Sequence, residues 1–365
     1  MNKMILTAGP SITKKEINYV NDAIKNGWNN NWNFYINKFE DLIKNYLGVK
    51  YALSTSSATG ALHLSLLASG IKKNSEIILP EISWIASASA IKYIGAKPVF
   101  CDVDKDSWTI DTNKIEKLIT KKTKAIMPVH LYGTPSNTVK IKKLANKYRL
   151  KIIEDAAPAL GAIVGKQKIG SNCDFSCFSF QGAKMITTGE GGMLVTNNKK
   201  LFEKAKYYSE HCRDPKSPLD AMGIGYKYKM SNLQAALGCA QLERIDTLIN
   251  KKRLINKWYN DNLENFTKVK VTKDPIYGKS IHWMTSIEMA NFNKNKRSSF
   301  IKELRDKKID TRPVFSPMSS FPMFKKINEN NNAYRIGYSS INLPSGHNLT
   351  HNQIKYVSKI IKELL

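Results

Sequence analysis

Residues 179–192 read Ser179-Phe180-Gln181-Gly182-Ala183-Lys184-Met185-Ile186-Thr187-Thr188-Gly189-Glu190-Gly191-Gly192, and they set one lysine between two apolar runs. The run before it, 174–180 (DFSCFSF), and the run after it, 191–196 (GGMLVT), have strand composition, and the glycines between them predict a tight turn. Most lysines of this chain decorate polar segments. Lys184 is flanked by strand residues and turn glycines instead, so its side chain is expected to point into a cleft. A desolvated lysine has a lowered pKa and can form a Schiff base with a carbonyl compound.

Upstream, short β-rich runs at 76–79 (EIIL), 98–103 (PVFCDV), 124–129 (KAIMPV) and 150–154 (LKIIE) alternate with helical patterns near 59–69, 84–94, 112–119 and 137–147. That alternation predicts a mostly parallel sheet covered on both faces. Before it, Ile17, Val20, Ala23 and Ile24 share one helical face over 13–27, opened by Thr13 with Glu16 three residues later and closed by Gly27. Downstream, one long helix is expected over 231–264, with Leu233, Leu237, Ala240, Leu248, Ile249 and Leu254 on its apolar face. From about 265, short strands and helices predict a smaller second domain, ending in a Lys-rich helix over 352–365 read as a solvated face.

Ligands of an open parallel sheet bind beyond the carboxyl ends of its strands. The run 150–154 leads into Asp155, Ala156 and Ala157. A buried acid there needs a cation, unless it merely caps the next helix. Ser56-Ser57-Ala58-Thr59-Gly60 opens a helix with small hydroxyl residues, a pattern suited to a phosphate ester on free backbone amides. With the aromatic Trp84, these segments supply a phosphate cradle, a ring to stack on, an acid and an imine-forming lysine. Pyridoxal phosphate (PLP) requires those parts. His63 and His130 sit in apolar contexts and read as packing residues.

The chain has 365 residues, enough for two or three domains of about 150 residues each. With 42% apolar residues it is not a disordered chain, and no run has the roughly 18 apolar residues of a membrane helix. The opening residues, Met1 to Pro10, carry only a short apolar patch, so no secretory leader is expected. The cysteines (Cys101, Cys173, Cys177, Cys212 and Cys239) are scattered without a CxxC pair, which argues against a disulfide framework and a structural metal. Lys and Arg number 57 against 30 Asp and Glu, a formal charge of +27. Such a balance admits nucleic acid, membrane surface or anionic small molecules as partners. Its even spread reads as a solvated surface that also steers phosphates.

The order of these segments resembles the DegT/DnrJ/EryC1/StrS aminotransferases, the sugar-aminotransferase branch of the aspartate aminotransferase fold. The likeness runs from Gly27-Trp28 and Phe39-Glu40 through ALHL (61–64), PVHLYG (128–133), EDAA (154–157), FSF (178–180) and TTGEGGM (187–193) to KMSNLQAALGCAQLERI (229–245). The resemblance implies an α/β fold of fold-type I. Residues 1–250 would form a large PLP-binding domain with a mostly parallel central sheet, and residues 251–365 a smaller C-terminal α/β domain. Lys184 then falls on the lysine that carries the cofactor, Asp155 on the carboxylate facing the pyridine nitrogen, and Trp84 on the aromatic over the ring. Ser57, Ala58, Thr59, Ser179 and Ala157 fall among the remaining cofactor contacts. A lysine at 184, where related sugar dehydratases carry histidine, disfavours a dehydratase.

Three departures stand out. The family's GYNYRMS is here Gly225-Tyr226-Lys227-Tyr228-Lys229-Met230-Ser231, so Lys227 replaces an asparagine that reaches the partner's cofactor phosphate, and Lys229 an arginine beside the partner's site. Pro158 follows EDAA in place of a hydrogen-bonding side chain. Asn29-Asn30-Asn31-Trp32 occupies a segment where relatives have glycine, which sets Trp32 at the substrate entrance or against a partner subunit. His282 and Arg312 lie where the second domain of relatives faces the substrate.

The implied protein is a cytoplasmic homodimer, with no nucleic acid, membrane or metal partner. It would move an amino group from L-glutamate to a nucleotide-linked keto-deoxysugar for surface polysaccharide. One alternative is a small phosphorylated ketone such as a triose phosphate, motivated by Trp32, Lys227 and Lys229. Another is a basic regulatory or nucleic-acid-binding protein on a relic PLP fold, supported by charge alone.

Overall fold

Strands that are apolar on both faces need cover on both sides, and here each face receives helices. The computed structural model describes residues 3–365. Its main sheet contains β1 (Tyr51–Thr55), β2 (Glu76–Pro80), β3 (Lys97–Cys101), β4 (Thr123–Ile126), β5 (Lys151–Asp155), β6 (Phe175–Ser179) and β7 (Gly192–Thr196). The spatial order is β1-β7-β6-β5-β4-β2-β3. Neighbours from β3 across to β6 run parallel, whereas β7 is antiparallel to both β6 and β1. The α/β class and the mostly parallel sheet match the expectation.

One face is covered by α1 (Ala58–Ala68), α2 (Ala86–Tyr93) and α3 (Lys199–Ser209), with Leu62, Leu64, Leu66, Ala88, Ile91 and Ala205 in the shared core. Helix α1 is apolar nearly all round and buried over almost its whole length, as such a composition demands. The other face packs against the helices Phe34–Leu47 and Asn232–Leu242 through Phe39, Ile43, Ala235, Ala236 and Cys239.

The predicted helix over 231–264 is two helices, Asn232–Leu242 and Ile245–Leu263. The break falls at Glu243-Arg244. Arg244 bonds to Glu16 Oε1 at 2.5 Å and to the Ser11 carbonyl at 3.1 Å, and these tertiary partners replace helix continuity. The N-terminal helix, Lys14–Asn26, has the expected Thr13–Glu16 capping box and ends at Gly27. Its Ile17 and Ile24, and Leu254 further on, are exposed rather than packed in the core.

The helix Ile245–Leu263 passes from one core to another. Ile245, Leu248 and Ile249 belong to the large core, while Ile255, Tyr259 and Leu263 join Ile287, Met289, Leu304 and Ile341. That second core packs on an antiparallel sheet of Val269–Val271, Ser286–Met289, Ser340–Asn342 and Arg312–Pro313. Ile5 belongs to it as well and pairs in parallel with Ile309. The last helix, His351–Leu364, is only half solvated, because Ile354, Val357 and Ile361 are fully buried. Among the described residues, no helix is long and apolar enough to cross a membrane.

Two buried carboxylates fasten the C-terminal part to the main sheet beyond β2 and β3. Glu81 accepts the Ser319 N–H and the Asn330 side-chain amide, both at 2.6 Å. The helix Asn331–Ser339 has no capping side chain of its own. Asp102 caps it from across the fold, accepting the N–H groups of Ala333 at 2.9 Å and Asn332 at 3.3 Å, with Lys114 at 2.7 Å. Asp102→Ala strands these amides and is expected to lower stability by about 2 kcal/mol. Denaturant unfolding of the purified variant checks it, and an unchanged midpoint would refute the capping role.

Candidate active site

Three segments meet beyond the carboxyl ends of β4, β5 and β6. Asp155 is the last residue of β5 and is 5% exposed. Its Oδ2 accepts a hydrogen bond from the Ser87 hydroxyl at 2.5 Å, and its Oδ1 accepts the Ala157 N–H at 3.2 Å. Lys184 projects from a turn closed by its own N–H to the Gln181 carbonyl at 2.8 Å. Burial pushes the Lys184 amine down to about 8, with the Asp155 charge pulling the other way. The Asp155 charge therefore acts on the Lys184 amine, although the structure makes no direct ion pair between them.

Aromatic rings wall this site. The Lys184 ammonium lies 4.2 Å from the centre of the Trp283 ring. Trp283 stacks on Tyr132 at 6.1 Å, Tyr132 stacks on Phe315 at 5.2 Å, and Phe315 tilts against Trp84 at 5.8 Å. Beside the lysine turn they line a largely apolar cavity of about 910 Å³, with Arg312 also on its wall. The exposed guanidinium of Arg312 is 3.5 Å from Asp310.

A polar corner is built where β7 approaches α1. Ser57 caps α1 by accepting the Gly60 N–H at 3.1 Å, so the amides of Ala58 and Thr59 in the first turn have no acceptor within the helix. Ser179 pairs with Gly192 in the β6–β7 ladder. A Cβ added to Gly192 would lie 2.5 Å from the Ala58 nitrogen, so only glycine lets the strand come this close to the helix N-terminus. Ser57, Ala58, Thr59 and Ser179 thus share one end of the site.

Other expected residues lie elsewhere. Lys227 is exposed and bridges in register with Glu210. Lys229 sits 4.1 Å above the Trp32 ring, and burial lowers its pKa. That pair does not line the aromatic cavity. His282 has its Nε2 3.0 Å from Asp274, and its neighbours Trp283 and Met284 line the cavity. The left-handed backbone of His282, φ 49°, turns the chain between them. His63 and His130 are packing residues as expected, His63 among Tyr93, Tyr226 and Tyr228, and His130 accepting the Ser136 N–H at 3.0 Å. The sequence reading missed Ser87, Tyr132, Trp283 and Phe315. A usable signal existed only for Ser87, three residues after Trp84, and for Trp283, next to His282.

Residues 10–362 match the DegT/DnrJ/EryC1/StrS aminotransferase family. The chain belongs to that family. It is 41% identical to the GDP-perosamine synthase of Escherichia coli O157:H7 over 99% of this chain and 98% of that protein. It is 37% identical to the GDP-perosamine synthase of Caulobacter vibrioides, again over 99% and 98%. Among solved structures, PseC of Helicobacter pylori, an aminotransferase involved in the biosynthesis of pseudoaminic acid, matches with TM-score 0.91 and 26% identity over 100% of both chains. The PLP form of Spr1654 from Streptococcus pneumoniae matches with TM-score 0.92 and 25% identity over 99% and 98%.

This DegT/DnrJ/EryC1/StrS protein is a PLP-dependent aminotransferase. The residues present fit the cofactor: Gly192 leaves open the cradle at the Ala58 and Thr59 amides, Asp155 offers a buried carboxylate, and Lys184 offers a desolvated amine. The relatives named as synthases and aminotransferases do not favour the relic-fold alternative.

Proposed function

We propose that the enzyme transfers an amino group from L-glutamate to a keto-deoxysugar carried on a nucleoside diphosphate, GDP foremost, giving an amino sugar for surface polysaccharide. The observation that carries this reading is whole-chain identity of 41%, 37% and 35% with three proteins named GDP-perosamine synthase. The +27 charge suits a diphosphate-bearing substrate. A triose phosphate finds no counterpart among these relatives.

In this reading the Lys184 amine would hold the cofactor and, when free, would accept and return the proton that the reaction moves. Asp155, oriented by Ser87, keeps the pyridine nitrogen protonated. Trp84 covers the ring. Ser57, Ala58, Thr59 and Ser179 hold the phosphate, and Ala157 supports Asp155 through its amide. The chemistry that PLP supplies when bound is carriage of the amino group and withdrawal of electrons from the carbon losing its proton. Arg312 at the cavity wall is the cation for a substrate carboxylate or diphosphate.

The working unit is a homodimer in the cytoplasm. Exposed Ile17, Ile24, Trp28, Trp32 and Phe34 along one segment, and Leu219, Met222 and Ile224 along another, are more apolar surface than a monomer keeps bare. Lys227 and Lys229, near the second segment, would then serve the partner's site. The chain divides into a cofactor lobe and a C-terminal lobe that share the helix Ile245–Leu263.

The test loads the enzyme with pyridoxamine phosphate by incubation with glutamate, removes the donor, and offers candidate ketones while the cofactor absorbance is followed. Return of the PLP spectrum with a GDP-linked keto-deoxysugar, and not with triose phosphates, is expected. Return with a triose phosphate alone would overturn the assignment. Lys184 must be neutral to accept a proton, so with its amine at about 8 this half-reaction should rise with pH and level off above that value. Below it the rate falls about tenfold per pH unit. A stopped-flow pH series reads the midpoint.

A further inference from the structure

We propose that Trp283 is the positioning residue for Lys184, tethering the lysine's turn and offering the face on which the free amine rests. The inference depends on the reading that Lys184 carries the cofactor. Two contacts reach the lysine from one side chain. The indole Nε1 donates to the Ala183 carbonyl at 2.6 Å, and the same ring lies 4.2 Å beneath the Lys184 Nζ. The hydrogen bond fixes the backbone immediately before the lysine. The ring gives its end group a resting place that excludes water but still favours a cation.

Trp283 is itself held by its neighbours on the side away from the cavity. Tyr132 stacks behind it at 6.1 Å, and the Tyr132 hydroxyl accepts the Phe315 N–H at 3.1 Å. The Trp283 carbonyl accepts from Lys252 Nζ at 3.1 Å, and that buried ammonium also bonds the Ser345 carbonyl. The loop is pinned to the segment carrying Tyr132 by the Ile281 N–H to the Gly133 carbonyl at 3.1 Å. A Cβ on Gly133 would come within 2.9 Å of the Trp283 nitrogen, so the two loops meet backbone to backbone. Tyr132 and His282, facing residues of these loops, both adopt left-handed backbone with φ 52° and 49°. Such conformations are unfavourable for side-chain-bearing residues and persist where surrounding contacts enforce them. An indole wedged this firmly is a fixed reference for a lysine that must leave the cofactor and return to the same place.

Capture of PLP by the apoenzyme tests this directly. In that step the neutral Lys184 nitrogen bonds the aldehyde carbon, and the aldehyde oxygen departs as water with the two protons lost from the nitrogen. Its rate, followed by absorbance over a pH series, reports the pKa and the placement of the free amine. Trp283→Phe keeps a ring and removes the N–H, and is expected to slow capture about fivefold with the midpoint little changed. Trp283→Ala also opens the amine to water, and is expected to raise the midpoint by about one unit and slow capture about tenfold more below it. Wild-type rate and midpoint in both variants would overturn the inference. Should Trp283→Ala fail to fold, the Trp283→Phe rate alone decides. Borohydride reduction and peptide mapping of the wild-type holoenzyme separate the two premises: PLP found on a lysine other than Lys184 would sink the cofactor reading, whatever the Trp283 variants do.

Discussion

Lys184→Ala is expected to lower turnover by about 10³-fold or more, because in the proposed function one side chain is both the cofactor's attachment and the proton carrier. Lys184→Arg should not restore activity, since a guanidinium stays protonated at any working pH and cannot accept the proton. The fold should not suffer. Burial disfavours the charged lysine, as its lowered pKa of about 8 records, so removing the amine relieves a desolvation cost that offsets the lost contact with Trp283. Steady-state kinetics beside thermal melting check both halves. Retained turnover would remove Lys184 from the mechanism, and a large loss of melting temperature would make the kinetic result uninformative until a milder variant, Lys184→Gln, was compared.

Asp155→Ala is the second large effect, with an expected loss of about 10²–10³-fold in turnover. Asp155 is a buried carboxylate that accepts from Ser87 and Ala157, which leaves its charge available to a cation in the site. Its removal also has a sign that can be read separately. The Asp155 charge raises the pKa of Lys184 against desolvation, so Asp155→Ala should move the pH midpoint of the proton-accepting half-reaction below about 8. Asp155→Asn keeps the shape, loses the charge, and should show the same downward midpoint. An unchanged midpoint in both would mean that the carboxylate does not feel the lysine.

Much of the candidate site is legible in the sequence because its parts are local. Lys184 stands out against adjacent glycines and strand residues, Asp155 against the apolar run that ends in it, and Ser57 to Thr59 as the opening of a helix. Each is a statement about a few neighbouring residues and needs no knowledge of distant contacts. The main sheet was readable for the same reason, since doubly buried parallel strands are near-continuous apolar runs. β1 gives a weaker local signal, because Tyr51–Thr55 alternates between buried and half-buried and pairs antiparallel with β7, contributed from far along the chain.

The rest depended on pairings between remote segments. The break at Arg244 follows from a partner, Glu16, that no local pattern names. Nothing local in the sequence says that Trp283, rather than its neighbour His282, lines the cavity, or that His282 takes a left-handed backbone. Ile17 and Ile24 lie on the expected helical face, yet this face is exposed in the single chain. Periodicity tells which residues share a side, not what that side meets.

The amino-acid sequence alone therefore determined the α/β class and the lysine, acid and phosphate-cradle candidate positions, because turn, strand-end and helix-cap chemistry act over a few residues, while the order of its motifs carried the family resemblance. Only tertiary structure decided the aromatic wall of Trp84, Phe315, Tyr132 and Trp283, the Ser87 bond to Asp155, and the Asp102 cap on a distant helix. Those are contacts between side chains far apart in sequence, made adjacent by packing two cores around one cleft.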